Sequence, residues 1–413
     1  MKVLEVIAPT INYQCGDIAN IPVISNESQN ILVERSVRDN IGISQDDWNS
    51  FEISWDFTKH PAVLQAYPST LLENSYNSWK QECVYRFYKL KANEEELNRI
   101  FIDLYGLQDE LTPEVADKDL TVYRIIDEPN EEERSMRYVL SKRDAIATFM
   151  SYAVGCMMGR YSPYVGGLVL AGQPYEEGFH HNEILPQASE GEWIEDPGDG
   201  VVIISAKGEK AQAPEGAFLP DRDAILPITD DEYFQDDIVT KFVRFVEAVY
   251  GCETLEENLR FIADALGEKG DTPREAIRNY YLKEFYKDHL KTYQKRPIYW
   301  LYDSGKADSF KALVYLHRYD RDTLARLRTD YVHEQQERLR TQLDIAKKAM
   351  EDVDPRRRAA ATKRAQKLGK QLDEVNRYEE ILHHMADMRI ALDLDDGVVV
   401  NYAKMGELVA PIR

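Results

Sequence analysis

Residues 321–392 read RDTLARLRTDYVHEQQERLRTQLDIAKKAMEDVDPRRRAAATKRAQKLGKQLDEVNRYEEILHHMADMRIAL, and no glycine interrupts them before Gly369. Leu324, Leu327, Tyr331, Leu339, Leu343 and Ala346 recur at helical spacing in the first part; Leu368, Leu372, Val375, Ile381, Leu382 and Met385 do so in the second. Between them stands Asp354-Pro355, an N-cap residue followed by proline at the first helical position, which is the signal of a helix restart. The pattern predicts two long helices folded back as an antiparallel coiled coil.

Upstream, residues 296–320 (RPIYWLYDSGKADSFKALVYLHRYD) carry two aromatic, β-prone runs, Ile298–Tyr302 and Ala312–Tyr319, around a Ser-Gly-Lys turn. They predict a hairpin, although the second run also suits a helix. Further helices are expected over Ser28–Ile41, from a new cap at Ser44 onward, over Ser75–Tyr105 up to Gly106, and over Ser141–Met158 up to Gly159. Others follow from an Asp230-Asp231-Glu232 cap to Tyr250, over Thr254–Leu266 and over Thr272–Gln294. Val3–Ile7 reads as a short apolar run, the segment 9–24 alternates around a Gly16-Asp17 turn and ends strand-like at Ile21–Ile24, and Gly397–Tyr402 reads as a strand-like tail. Residues 163–227 are rich in glycine and proline, with short β pieces at Gly167–Ala171 and Val201–Ser205.

The expected fold is therefore α+β and mainly α-helical. It has a helical-bundle body, a loop-rich α/β insert and a long antiparallel helical hairpin near the C-terminus. The expected divisions are 1–135, 136–250, 251–322 and 323–413.

The 413 residues carry 51 Lys and Arg against 73 Asp and Glu, a net charge of −22. Hydrophobic residues at 43% describe a globular chain. No apolar run is long enough to span a bilayer, and the N-terminus lacks the shape of a secretory signal. The four cysteines (Cys15, Cys83, Cys156, Cys252) have neither metal-ligand nor redox spacing. The expectation is a soluble, cytoplasmic, thiol-reduced protein without membrane contact. The acidity is uneven: residues 274–370 hold 24 Lys and Arg against 14 Asp and Glu, a basic stretch on an acidic body.

Catalytic signatures are missing from the sequence. No two prolines are adjacent, so there is no Asn-Pro-Pro-aromatic loop of the kind that holds a target amine. The sole Gly-x-Gly, Gly198-Asp199-Gly200, has no helix after it and reads as a plain turn rather than a cradle for S-adenosylmethionine or a nucleotide. No lysine has an acidic residue two positions before it, and neither a Gly-x-Ser-x-Gly elbow nor a His-Glu-x-x-His helix occurs. His383-His384 lie about 100° apart on a helix and read as flank positions, while His180-His181 sit in the Gly/Pro-rich region beside Glu176, Glu177 and Glu183. Neither catalytic residues nor a metal site can be named, and this chain is expected not to be an enzyme by itself.

What the sequence offers is binding surface. Arg356, Arg357 and Arg358 open the second long helix, followed by Lys363, Arg364, Lys367 and Lys370. The spacing puts Arg356, Lys363, Lys367 and Lys370 near one stripe. A second group, including Lys295, Arg296, Arg318 and Arg321, surrounds the aromatic hairpin, whose Tyr299, Trp300, Tyr302, Tyr315 and Tyr319 read better as core than as base-stacking platforms. Spaced cations of this kind suit double-stranded DNA, and Arg356, Arg357, Arg358, Lys363, Arg364, Lys367, Lys295, Arg296, Arg318 and Arg321 are the candidate contacts. The competing expectation is a protein-interaction scaffold without DNA contact.

Several of these segments carry a resemblance. PTINYQCGDIANIPVI and WNSFEISWDFTKHP look like the segment after the target-recognition region of large adenine-specific DNA methyltransferases. The likeness continues through EEELNRIFIDLYGLQDELTPEV, AIATFMSYAVGCMMGRYS, ILPITDDEYFQDDIV, RPIYWLYDSGKADSFKALVYLHRYDRDTLARLRTDYV and LDLDDGVVVNYAKMGEL. Together they resemble the C-terminal portion of the PglX family of bacteriophage-exclusion (BREX) defence systems. The resemblance implies adenine-N6 methylation with S-adenosylmethionine in the full-length family. The motifs for that chemistry lie upstream in the family and have no counterpart here, so no cofactor is expected in this chain. It further implies an upstream methyltransferase domain, other BREX proteins and DNA as partners.

Overall fold

The computed structural model describes residues 27–66, 71–170 and 217–412, the backbone of 192–196, 200–204 and 210–212, and positions 16, 19 and 24. The readings of Val3–Ile7, of most of 9–24 and of His180-His181 fall outside the described residues. The chain is mainly helical and divides into two compact units. The first comprises 1–48, 81–124 and 129–139, the second 49–80, 125–128 and 140–413.

In the first unit, helix α1 (Glu27–Trp48) runs unbroken through Ser44, where a fresh start was expected. The cap signal is local, and packing overrides it: Ile43 lies against a buried cluster of Phe87, Leu90, Leu120 and Val122. Asp47, read as part of the cap, is buried and accepts the Tyr123 N–H at 3.1 Å. Burial lifts its carboxyl to about 6, against the pull of Arg86. The long helix α3 (Leu72–Tyr105) ends at Gly106 with φ +68°, as its glycine predicted. A short helix α2 (Pro61–Leu64) precedes it in the chain. Residues 49–57, expected to be helical, form turns; Phe57 is buried and Trp55 is 90% exposed. The connection after α3 runs through strand β1 (Arg124–Ile126), helix α4 (Glu131–Ser135) and strand β2 (Val139–Ser141).

The second unit is built around α5 (Lys142–Met157), which Ser141 and Asp144 open with a reciprocal capping box. It is buried on nearly every side rather than on one face, because α6 (Ile238–Tyr250), α7 (Leu255–Leu266) and α9 (Phe285–Thr292) all pack on it. Helix α6 starts later than Asp230-Asp231-Glu232 suggested. Its cap is Asp237, which accepts the N–H groups of Val239 and Thr240 and also receives the buried Arg278 guanidinium. The single helix expected over 272–294 is two, α8 (Pro273–Lys283) and α9, parted at Glu284 with φ −116°.

Two three-stranded sheets occur among the described residues. The first joins β3 (Glu192–Asp196), β4 (Gly200–Ile204) and β5 (Lys210–Gln212), and β4 coincides with the strand read from Val201. The second has the order β6-β8-β7, from β6 (Ile225–Ile228), β7 (Tyr299–Asp303) and β8 (Lys311–Tyr315), all antiparallel. The hairpin is thus real, and β6 was not anticipated. Pro227 hid it, yet proline is tolerated in an edge strand, which β6 is. The sheet is buried on both faces, which erases the alternation that marks half-exposed strands. Of the stretch Gly167–Ala171 read as β, the described residues 167–170 form bends and no strand.

Three histidines in this unit are held neutral. His289 Nε2 accepts from the N–H groups of Ile298 and Tyr299, both at 3.2 Å, and burial pushes the ring down to about 3. His60 Nδ1 accepts from Ala62 N–H while Nε2 faces Thr148 Oγ1 at 2.9 Å, and burial again pushes it to about 3. Burial brings His317 to about 4.

The C-terminal stretch runs through α10 (Thr323–Arg326), a π turn (Leu327–Val332), α11 (His333–Ala349) and α12 (Pro355–Asp387). The restart falls where the sequence put it, with Asp354 capping Arg356 N–H at 2.8 Å. Leu339, Ala346, Leu368, Val375 and Leu382 belong to one buried cluster with β7 and β8. Polar pairs join α11 to α12: Gln336 to Asn376 at 2.9 Å and Arg364 to Gln342 at 2.7 Å. Glu374 of α12 accepts the N–H groups of Ala307 and Ser309 and the hydroxyls of Ser304 and Ser309, anchoring the β7–β8 turn. The tail read as a strand is helix α13 (Val398–Met405). Its valine run suggested β structure, but Asn401 and Met405, four apart and buried, fix a helix after Gly397 at φ +77°.

Candidate nucleic-acid interface

The basic residues of α12 fall into two sets that the sequence could not separate. Arg358 donates to the carbonyls of Asp352 and Val353, and Arg357 lies 3.8 Å from Asp352 and 4.0 Å from Asp354. Arg364 is bonded to Gln342, and Lys367 to Asp230 at 2.6 Å. These four hold the turn and the flank of α12. Arg356, Lys363 and Lys370 are exposed and make no such bond among the described residues. They are seven residues apart, about 20° short of two full turns, so they lie on one face about 10.5 Å apart.

Lys347 and Lys348 in the last turn of α11 are also exposed, and sequence reading passed them over. Two adjacent lysines ahead of a helix-ending turn were the available signal. Glu351, Asp352 and Asp354 dilute the positive charge at the turn itself. Charge therefore accumulates along α12 rather than at its first residues.

The fold divides the second basic group as well. Arg318 donates to the carbonyls of Met158 at 3.1 Å and of Asp221 and Arg222 at 2.8 Å, so its donors serve the fold. Lys311 is neutralised by Asp308 at 2.8 Å and Asp303 at 3.4 Å. Lys295, Arg296 and Arg321 are exposed, with Lys295 in a left-handed turn at φ +61°. Tyr299, Trp300, Tyr302, Tyr315 and Tyr319 are buried and present no face for stacking. His383 and His384 are exposed on α12, where flank positions were expected. Among the described residues no cluster of His, Cys, Asp or Glu is arranged to hold a metal ion. No described helix is long and apolar enough to cross a membrane.

No family model matches the chain. Among curated proteins it is similar to adenine-specific methyltransferases. It is 41% identical over 408 residues to the adenine-specific methyltransferase PglX of Lacticaseibacillus casei (strain Zhang), covering 97% of this chain and 30% of that protein. It is 35% identical over 418 residues to the adenine-specific methyltransferase BrxX of Escherichia coli O9:H4 (strain HS), covering 99% of this chain and 32% of that protein. Nearly the whole chain thus matches these proteins, as a C-terminal region of PglX would. It spans about a third of the length of the curated relatives it matches.

Proposed function

We propose that this chain is the non-catalytic C-terminal part of a BREX adenine-N6 DNA methyltransferase, and that it engages duplex DNA while assembling with the upstream methyltransferase domain and other BREX proteins. S-adenosylmethionine then belongs to the upstream domain, and none is bound by this chain. The helical pair α11–α12 acts as an antiparallel coiled-coil arm. The observation that carries the DNA reading is the row Arg356, Lys363 and Lys370: three exposed cations on one face, without internal partners among the described residues, on a chain whose net charge is −22. An acidic body repels phosphate, so contact concentrates where unneutralised cations line up.

Replacing all three by glutamine is the test. Binding to duplex DNA should weaken alike for all sequences, because phosphate contacts position a protein without reading bases. The slope of log affinity against log salt should flatten by about 2–3 units, close to 0.9 per lost contact. Unchanged affinity and slope would remove DNA from this face.

A scaffold reading has its own support in Ile345, Met350 and Val353, exposed apolar side chains near the same turn. Serine at those three positions, abolishing capture of another BREX protein while DNA binding stays intact, would favour it.

A further inference from the structure

Tyr331 lies in the π turn at the root of α11, and its hydroxyl faces two carboxyl groups. It is 3.1 Å from Asp223 Oδ2 and 2.8 Å from Asp236 Oδ2. A phenol has one proton to donate. It cannot serve two carboxylates, so with both ionised one of them meets the hydroxyl with no hydrogen between. The count closes when Asp223 carries a proton. Asp223 Oδ1 then accepts the Ile225 N–H at 3.0 Å, its Oδ2–H donates to Tyr331, and Tyr331 donates to Asp236.

The surroundings select Asp223 as the holder. Asp221, on the same loop, accepts the Asp223 N–H at 3.1 Å and is kept ionised by Lys241 of α6 at 2.9 Å. Arg318, after β8, spends its donors on carbonyls, and Arg326 of α10 is paired with Asp320 at 2.8 Å. Burial first, and then the Asp221 carboxylate, push Asp223 up to about 8.

We propose that Asp223, Tyr331 and Asp236 form a proton-operated latch fastening the root of the α11–α12 pair to strand β6 and to the turn before α6. Protonated, it closes a chain of donors and acceptors across three segments. Deprotonated, it sets two carboxylates against one hydroxyl, and the π turn loses one of its two anchors. A π turn is a fitting place for such a device, since its widened backbone already departs from the regular ladder.

The test is amide hydrogen exchange of residues 327–339, each rate divided by its intrinsic rate at the same pH, at about pH 6 and about pH 9. Protection of these amides should fall by about tenfold or more between the two, while amides of α5 keep theirs. Asp223→Asn mimics the protonated form, because its amide donates to Tyr331 and its oxygen still accepts from Ile225. That variant should keep high protection at both pH values. If it does not fold, Tyr331→Phe serves instead, with low protection at pH 6 and no further loss at pH 9. Wild-type protection that stays level, or an Asp223→Asn protein that loses it as the wild type does, would overturn the latch.

Discussion

Replacing Arg278 by alanine is expected to cost the second unit about 3–5 kcal/mol, the range found when one partner of a buried ion pair is removed. Arg278 donates to both oxygens of Asp237, at 2.8 and 2.7 Å, and to the Thr229 carbonyl at 2.9 Å. Asp237 is wholly buried. Without the guanidinium its carboxylate would keep, among the described residues, the α6 N–H groups of Val239 and Thr240. Denaturant unfolding should show the midpoint shift with an unchanged slope. The double variant, Asp237→Asn with Arg278→Met, should be less damaged than the sum of its parts, since no charge is then stranded. A single change costing under about 1 kcal/mol would show that the pair is not buried as described.

Val375→Asp is the second large effect, again of about 3–5 kcal/mol. Val375 is wholly buried among the apolar side chains of the cluster that joins α11 and α12 to the β7–β8 sheet. The exposed neighbour Arg377 is its control: Arg377→Asp should stay within about 0.5–1 kcal/mol. Equal melting temperatures for the two variants would show that α12 does not pack along this seam.

The helical part of this fold was legible because its signals are local. Asp354-Pro355, Ser141 with Asp144, Thr272-Pro273 and Gly106 each satisfy or end a helix with atoms a few residues away. The misreadings share the opposite cause. Ser44 looks like a cap until Ile43 and Asp47 are seen tied to other segments. Asp230 looks like a cap until Arg278 selects Asp237 and Lys367 takes Asp230. Strand β6 was invisible because its partner lies more than eighty residues on, at β8. The candidate interface was half legible. The seven-residue spacing of Arg356, Lys363 and Lys370 is a property of sequence, but the commitment of Arg358, Arg364, Lys367 and Arg318 to internal acceptors is a property of the fold.

The neutral histidines set a limit on the conditions this protein tolerates. His60, His289 and His317 each give up proton affinity on folding, from about 6.5 in an unfolded chain to about 3, 3 and 4. Acidification below about 6.5 therefore makes unfolding a proton-consuming reaction, and each ring adds on the order of 1.4 kcal/mol per pH unit to the downward slope of stability. Asp223 works with the opposite sign. Its contribution is fully present below its unfolded value of 3.8 and fades as pH rises to about 8. Among these four groups three rings outweigh one carboxyl, so their joint contribution to stability should be greatest at about pH 6–7 and collapse on the acid side. His289 gives that collapse a starting point. Its ring accepts the first two N–H groups of the β7 segment, so a proton arriving on Nε2 would expel the central hairpin's leading edge in the same event.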